Sequence, residues 1–189
     1  MTLEMLQEEI KECRLCGLCE GMPFSPVPGI GPHNANVMLV GEAPGEDESV
    51  AEEPFIGLAG RMLNRILNLA NLQRKDVYIC NTVNCRPTKG NKNRPPSKKE
   101  ISTCSTWLYK QIELVKPKVI FTLGMVSTSI LLKPKYNMKL GDYLGIVTKI
   151  DKPIQVDVIA NYHPSYLMQY GKNEIQKSID ILKMWENYK

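Results

Sequence analysis

Residues 36–45, "NVMLVGEAPG", decide the fold. An apolar run ends abruptly in a turn bracketed by Gly41 and Gly45 and carrying Glu42. Apolar residues at both alternating positions are the pattern of a strand covered on both faces. The run reads as a strand over 36–42, and three others share its pattern: "VYICNTV" (77–83), "VIFTLG" (119–124) and "VDVIANY" (156–162). Segments of helical period lie between them. In 58–70, Met62, Leu63, Ile66, Leu67 and Ala70 fall on one stripe, with Arg61 and Arg65 opposite. The segment 97–115 starts at Ser97 with Glu100 three residues on, a capping box. Segments 125–132 and 173–188 complete the set, the last presenting Ile175, Ile179, Leu182 and Trp185 on one face. Strands alternating with helices predict an α/β three-layer sandwich: a central four-stranded parallel sheet with helices on both faces.

Ligands of such sheets bind outside the carboxyl ends of the strands, and the unusual residues of this chain collect there. "GEAPG" follows the first strand, Asn81 ends the second, "LGM" follows the third and "NYHPS" the fourth. The first turn has neither the G-x-G-x-x-G nor the G-x-x-x-x-G-K-S/T spacing, which argues against a nucleotide phosphate. Its glycines permit a tight turn and close approach of the backbone. Glu42 and Glu48 bring carboxylates to the cleft. Phe55, ahead of "IGLAG", can stack on a planar ligand. The Asn81 amide offers a donor and an acceptor, which matches a pyrimidine edge. His163 can donate to an anion developing on a leaving group. Each has a plainer reading: Phe55 as core, Asn81 as a strand-end cap, His163 as a structural histidine, and the acids of 46–53 as a solvated turn. His33, in "GIGPHNAN", reads as a surface residue.

The 189 residues are 43% hydrophobic and 23% charged, with a formal net charge of +4, the profile of one globular domain over 1–189. There are no internal repeats; only 23–34 and a basic loop are linker-like. No apolar run approaches the ~20 residues of a membrane span. The acidic, helix-like start "MTLEMLQEEIKEC" is unlike a secretory signal, so a cytoplasmic protein is expected. The loop "CRPTKGNKNRPPSKK" (85–99) carries Arg86, Lys89, Lys92, Arg94, Lys98 and Lys99 and no acid. It is either a solvated irregular loop or a phosphate-contacting one, where each basic contact gains affinity by counterion release.

Of the six cysteines, Cys13 and Cys16 form a C-x-x-C; Cys85 lies on the basic loop and Cys104 in the helix after it. Structural disulfides are not expected in an intracellular chain. Two close and two distant thiolates make a reasonable four-sulfur set, which zinc and a four-iron cluster both accept. Cys80 reads as an inert strand thiol, and Cys19 as a spare thiol or an alternative ligand.

Taken in order, "CRLC", "GEAPGEDE", "PFIGLAG", "NTVNCRP", "NRPP", Cys104, "LG" and "YHPSYL" resemble the uracil-DNA glycosylases of family four, the iron–sulfur type of bacteria and archaea. The resemblance runs over nearly the whole chain. It implies the glycosylase fold and a 4Fe–4S cluster on Cys13, Cys16, Cys85 and Cys104. It implies a uracil pocket lined by Gly41, Glu42, Ala43, Phe55, Asn81 and His163, with Phe55 stacking and Asn81 reading the base edge. His163, Glu48 and Glu42 are the expected catalytic residues. Asn93, Arg94, Ser165 and Leu167 are the expected DNA contacts, Leu167 being the wedge. The position that excludes thymine falls nearest Glu46. Where relatives keep a water-orienting aspartate this chain has Ala43, so the water falls to Glu48, a main-chain carbonyl or substrate phosphates.

The activity so implied is hydrolysis of the uracil–sugar bond by a monofunctional enzyme that starts base excision repair. The expected enzyme is a monomer in the nucleoid, acting on uracil-containing DNA, single- or double-stranded; a sliding-clamp contact is left open. The competing readings are a relative with another deaminated-base preference and a non-catalytic, metal-pinned DNA-binding module.

Overall fold

A computed structural model describes residues 1–20, 25–90, 92–133 and 139–189, so residues 23 and 24 of the linker-like stretch and Asn91 of the basic loop lie outside it. The chain begins with α1 (Leu3–Lys11), where the Thr2 hydroxyl caps the Met5 N–H at 3.3 Å. Strand β1 (Val37–Gly41) follows, then α2 (Glu46–Ala51), α3 (Leu58–Leu69) and β2 (Val77–Asn81). A hairpin of β3 (Thr88–Lys89) and β4 (Lys92–Asn93) precedes α4 (Lys98–Val115). Next come β5 (Val119–Leu123), α5 (Met125–Leu132), β6 (Val147–Ile150) and β7 (Val156–Asn161). The short α6 (Pro164–Leu167) and α7 (Lys172–Lys183) complete the order.

The main sheet runs β2-β1-β5-β7-β6. The four apolar runs pair in parallel, as expected, with Gly41 opposite Asn81 and Leu123 opposite Asn161. The expectation of four strands is corrected to five by β6, antiparallel to β7. Its sequence "VTKI" alternates exposed and half-buried residues, so it carries no apolar run to betray it. Polar, charged composition is what keeps an outer strand from pairing with another chain. At the opposite edge Ile30 bridges to Ile79 by two main-chain hydrogen bonds of 2.9 and 2.7 Å.

Alternation sorts the strands between two cores. Val37, Leu39, Val77, Ile79, Val119, Phe121 and Ile159 face α3, α6 and α7, through Leu63, Ile66, Leu67, Leu167, Ile179 and Leu182. Met38, Val40, Tyr78, Cys80, Ile120 and Val158 face α1 and α4, through Leu6, Ile10, Leu108 and Ile112. Each fully buried aliphatic side chain contributes about 1.5–3 kcal/mol relative to leaving it in water.

The expected capping box is present: the Glu100 N–H donates to Ser97 Oγ at 3.3 Å, and the Ser97 N–H to Glu100 Oε2 at 2.6 Å. The last segment differs in its final turn. Helix α7 stops at Lys183, and a 3-10 turn continues through Met184–Tyr188, where Trp185 Nε1 donates to the Ala70 carbonyl at 3.0 Å. No helix among the described residues is long and apolar enough to cross a membrane.

Candidate active site

β1 joins β2 on one side while β5 lies on the other, so the strand order reverses at β1 and a cleft opens at the carboxyl ends there. The cleft has a volume of about 1020 Å³ and brings together Glu42, Ala43, Glu48, Phe55, Asn81 and His163. Glu46, Asn93, Arg94 and Ser165 lie along its rim. The turn after β1 is locked to the exit of β2: the Thr82 N–H and hydroxyl both donate to the Gly41 carbonyl at 2.9 Å, and the Val83 N–H to the Glu42 carbonyl at 3.0 Å.

Asn81 is 2% exposed, and its Oδ1 has no hydrogen-bond partner among the described residues. A buried amide oxygen left unpaired costs about 1–3 kcal/mol, and this one belongs to a residue lining the cleft. Phe55 stands beside it, 5% exposed and part of the core, yet also in the cleft wall. The two plain alternatives for Phe55, core or cleft, are therefore both fulfilled. Gly41 makes their proximity possible, because a methyl there would meet Phe55 Cζ at 2.5 Å and clash with Asn81 Oδ1.

Phe55 has a φ of 55°, in the left-handed region that an aromatic residue rarely adopts. Arg74 holds it there by donating to the carbonyls of Phe55 (3.1 Å) and Pro54 (2.7 Å), to Asn64 Oδ1 (3.2 Å) and to Glu53 Oε1 (3.2 Å). Sequence reading missed Arg74. It stands in an ordinary polar turn before β2, and only the folded path of residues 53–55 reveals what it grips.

His163 is half-buried, with its ring centroid 5.8 Å from that of Phe55 at a 39° tilt. Gly124, at a φ of 95°, allows the approach, since a Cβ there would lie 3.1 Å from His163 Cβ. Desolvation lowers the imidazole pKa to about 4, against the opposing pull of the Glu48 charge, so the ring is neutral at physiological pH. The Ser165 N–H donates to His163 Nδ1 at 3.2 Å, and Ser165 Oγ lies 2.7 Å from the same atom. The neutral ring therefore carries its proton on Nε2.

The acids of 46–53 do not form a solvated turn throughout. They build α2, in which Glu48 and Ser49 are buried. Glu48 Oε2 accepts the Gly45 N–H at 3.1 Å and Oε1 the Gly57 N–H at 2.9 Å. Its carboxylate thus ties the turn after β1 to the start of α3. The Glu42 carboxylate makes no hydrogen bond or ion pair among the described residues, and burial raises its pKa above the ordinary glutamate value.

The basic loop is more ordered than an irregular loop would be. Arg94 donates to both Glu100 oxygens (2.8 and 2.6 Å), to the Thr88 carbonyl (3.0 Å) and to the Pro95 carbonyl (3.0 Å). The guanidinium, first, and the helix N-cap, second, hold the Glu100 pKa down to about 2. Arg94, expected as a DNA contact, lines the cleft while these bonds close its own loop. Asn93 Oδ1 accepts from Arg86 Nε at 2.7 Å, and Arg86 reaches Glu46 at 3.1 Å, fastening the hairpin to α2. The expectation for Leu167 is corrected: it is 1% exposed and packs in the core with α3 and α7. On the same short segment, Tyr166 and Met168 are the exposed residues, at 38% and 45%.

The cysteines depart from expectation in one respect. Cys85 is joined to Cys19, 66 residues away in sequence, rather than grouped with Cys13, Cys16 and Cys104. No cluster of three or more His, Cys, Asp or Glu among the described residues is arranged to hold a metal ion. Two of the sulfurs nevertheless accept N–H donors. Trp107 Nε1 donates to Cys13 Sγ and the Asn84 N–H to Cys104 Sγ, each at 3.2 Å. The Asn84 side-chain amide, next to Cys85, is buried without a partner at either atom. Burial pushes the Cys104 thiol up to about 12. Cys80 is fully buried in β2 with its pKa raised by desolvation, as befits an inert strand thiol.

A family model for the uracil DNA glycosylase superfamily matches residues 28–188. The type-4 uracil-DNA glycosylase of Saccharolobus solfataricus is 44% identical over 140 residues, 74% of this chain and 62% of that protein's length. Those of Pyrobaculum aerophilum and Archaeoglobus fulgidus are 36% and 33% identical, covering 95% and 98% of this chain and 92% of each relative.

Proposed function

Since this chain belongs to the uracil DNA glycosylase superfamily, we propose that it is a uracil-DNA glycosylase that hydrolyses the bond between uracil and deoxyribose and leaves an abasic site. The observation that carries this reading is the unpaired Asn81 Oδ1, buried beside an aromatic face and across from a neutral histidine. Uracil presents a donor at N3 and an acceptor at O4, and one primary amide answers both.

The target base is reached only after it is turned out of the duplex or presented on a single strand. Phe55 then covers one face of the ring. His163 Nε2–H donates to the uracil oxygen on which charge accumulates as the glycosidic bond breaks. Being neutral already, the imidazole stabilises that charge without transferring its proton. Glu48 acts by holding the turn and the Phe55 segment in place. Glu42, raised in pKa and unengaged, is the carboxylate that takes the proton of the attacking water, the task Ala43 cannot perform.

Within this reading a 4Fe–4S cluster is held by Cys13, Cys16, Cys85 and Cys104, with zinc as the alternative occupant. The N–H groups on two of the sulfurs and the unpaired Asn84 amide support it, and it requires Cys85 to part from Cys19. Through such a group these four residues would tie the N-terminal segment to the basic loop and α4. The enzyme is taken as one domain over 1–189, a cytoplasmic monomer that meets DNA through the cleft rim.

Incubation with uracil-containing single strands and duplexes, followed by alkali, tests the activity. Strand breaks at uracil are expected. Salt-dependent DNA binding without uracil release would instead support the non-catalytic module.

A further inference from the structure

Tyr162, Tyr166 and Tyr170 form a continuous stack to which the proposed chemistry assigns no task. The ring centroids of Tyr162 and Tyr166 are 5.2 Å apart at 4°, and those of Tyr166 and Tyr170 are 4.1 Å apart at 17°. The four-residue spacing, carried through α6 and the turn after it, sets the rings one above another. The inner ring is anchored: the Tyr162 N–H donates to Asn161 Oδ1 at 2.8 Å, and Asn161 Nδ2 to the Ser178 carbonyl at 3.1 Å, which ties the base of the stack to α7. The outer rings are open, Tyr166 at 38% and Tyr170 at 51%. Tyr162 and Tyr166 line the same cleft as Asn81 and His163, so the stack begins at the base pocket and leads away from it.

We infer that this tyrosine ladder is a stacking platform for unpaired bases of the DNA strand next to the extruded uracil. The inference rests on the glycosylase reading. Its occupant follows from continuity with the cleft, because Tyr162 and Tyr166 line the same cleft that receives the base at Asn81. A flat, solvent-open aromatic face takes the face of a base, whereas bases within a duplex already cover one another and offer only edges. Glu174 lies near enough to Tyr166 to act on its phenol, which favours bases over phosphates on this surface. The ladder therefore selects for single-stranded or locally opened uracil sites.

The test uses the full chain and oligonucleotides carrying a cleavage-resistant 2′-fluoro-deoxyuridine, with 2-aminopurine placed one to four nucleotides to either side. Wild type should quench 2-aminopurine at a position on one side only. Tyr170→Ala should abolish that quenching and weaken single-strand binding by roughly five- to hundred-fold, the range of one lost base–aromatic stack. Its duplex affinity should stay within about two-fold, and its melting temperature should be unchanged because half the side chain is already open. Tyr170→Trp should restore both readouts. Equal loss on single strand and duplex, or no quenching on either side in wild type, would overturn the ladder. The outcomes separate the two readings: uracil release without flanking quenching sinks the ladder alone, and quenching without uracil release sinks the glycosylase reading alone.

Discussion

A neutral imidazole with its proton fixed on Nε2 makes a specific statement about pH. The His163 pKa is lowered from 6.5 to about 4, so the donor form persists as pH falls through the range where an ordinary histidine charges. Uracil release should show no step at pH 6–7 attributable to His163, and should respond to it only as pH approaches 4. Stability has the same sign: this contribution is complete above the unfolded value and is lost as pH drops through the folded one. His163→Ala should lower the single-turnover rate by about 10²–10³ while leaving binding of a cleavage-resistant substrate largely intact, the usual cost of losing one positioned donor. Gly41→Ala should damage the pocket from beneath. The added methyl presses on the Phe55 ring and the Asn81 amide, an overpacking cost of about 1–3 kcal/mol that a denaturant curve and a uracil-binding titration would both register. Asn81 and His163 were legible in the sequence because they sit at or just past the ends of unmistakable strands, and Phe55 because it stands directly ahead of the glycine-flanked start of α3. The task of Glu48 was not, because it depends on where the Gly45 and Gly57 amides come to lie.

At the scale of elements, the loop from Cys85 to Ser97 behaves as a built device rather than a loose basic tail. Arg94 is spent on Glu100 and two carbonyls within it. Arg94→Gln should therefore lower the melting temperature yet leave the slope of log affinity against log salt unchanged. A phosphate contact would instead reduce that slope by about 0.9. Arg74→Ala should free the strained Phe55 segment and weaken base binding, with hydrogen bonds to a charged donor worth about 1.5–3 kcal/mol each where buried. If the proposed cluster assignment holds, Cys19→Ser leaves Cys85 available as a ligand, so iron and sulfide content per chain should hold or rise, while Cys85→Ser should lose both. Short, polar or mixed elements were the ones the sequence concealed. β6 is an edge strand without an apolar run, and α2 hides two buried residues among four acids or exposed positions. "SYLM" has no period long enough to say that Leu167 turns inward while its neighbours turn out.

Across the whole molecule the sheet separates two cores, and α1 belongs to one of them as fully as any later helix. Leu6 and Ile10 are completely buried between the sheet and α4. Leu6→Ala should cost about 2–5 kcal/mol, readable as a shift in the denaturation midpoint. The same arrangement governs the order in which the protein can assemble on the ribosome. β1 is the earliest strand made, yet it lies between β2 and β5, and the Trp107 indole that meets Cys13 is 94 residues downstream of it. Through most of its synthesis the chain holds α1 and one edge of β1 without their partners. Contacts this distant in sequence are closed slowly. The nascent chain therefore exposes an amphipathic helix and an open strand edge until α4 and β5 emerge, and chaperone demand should be greatest before residue 123 is made.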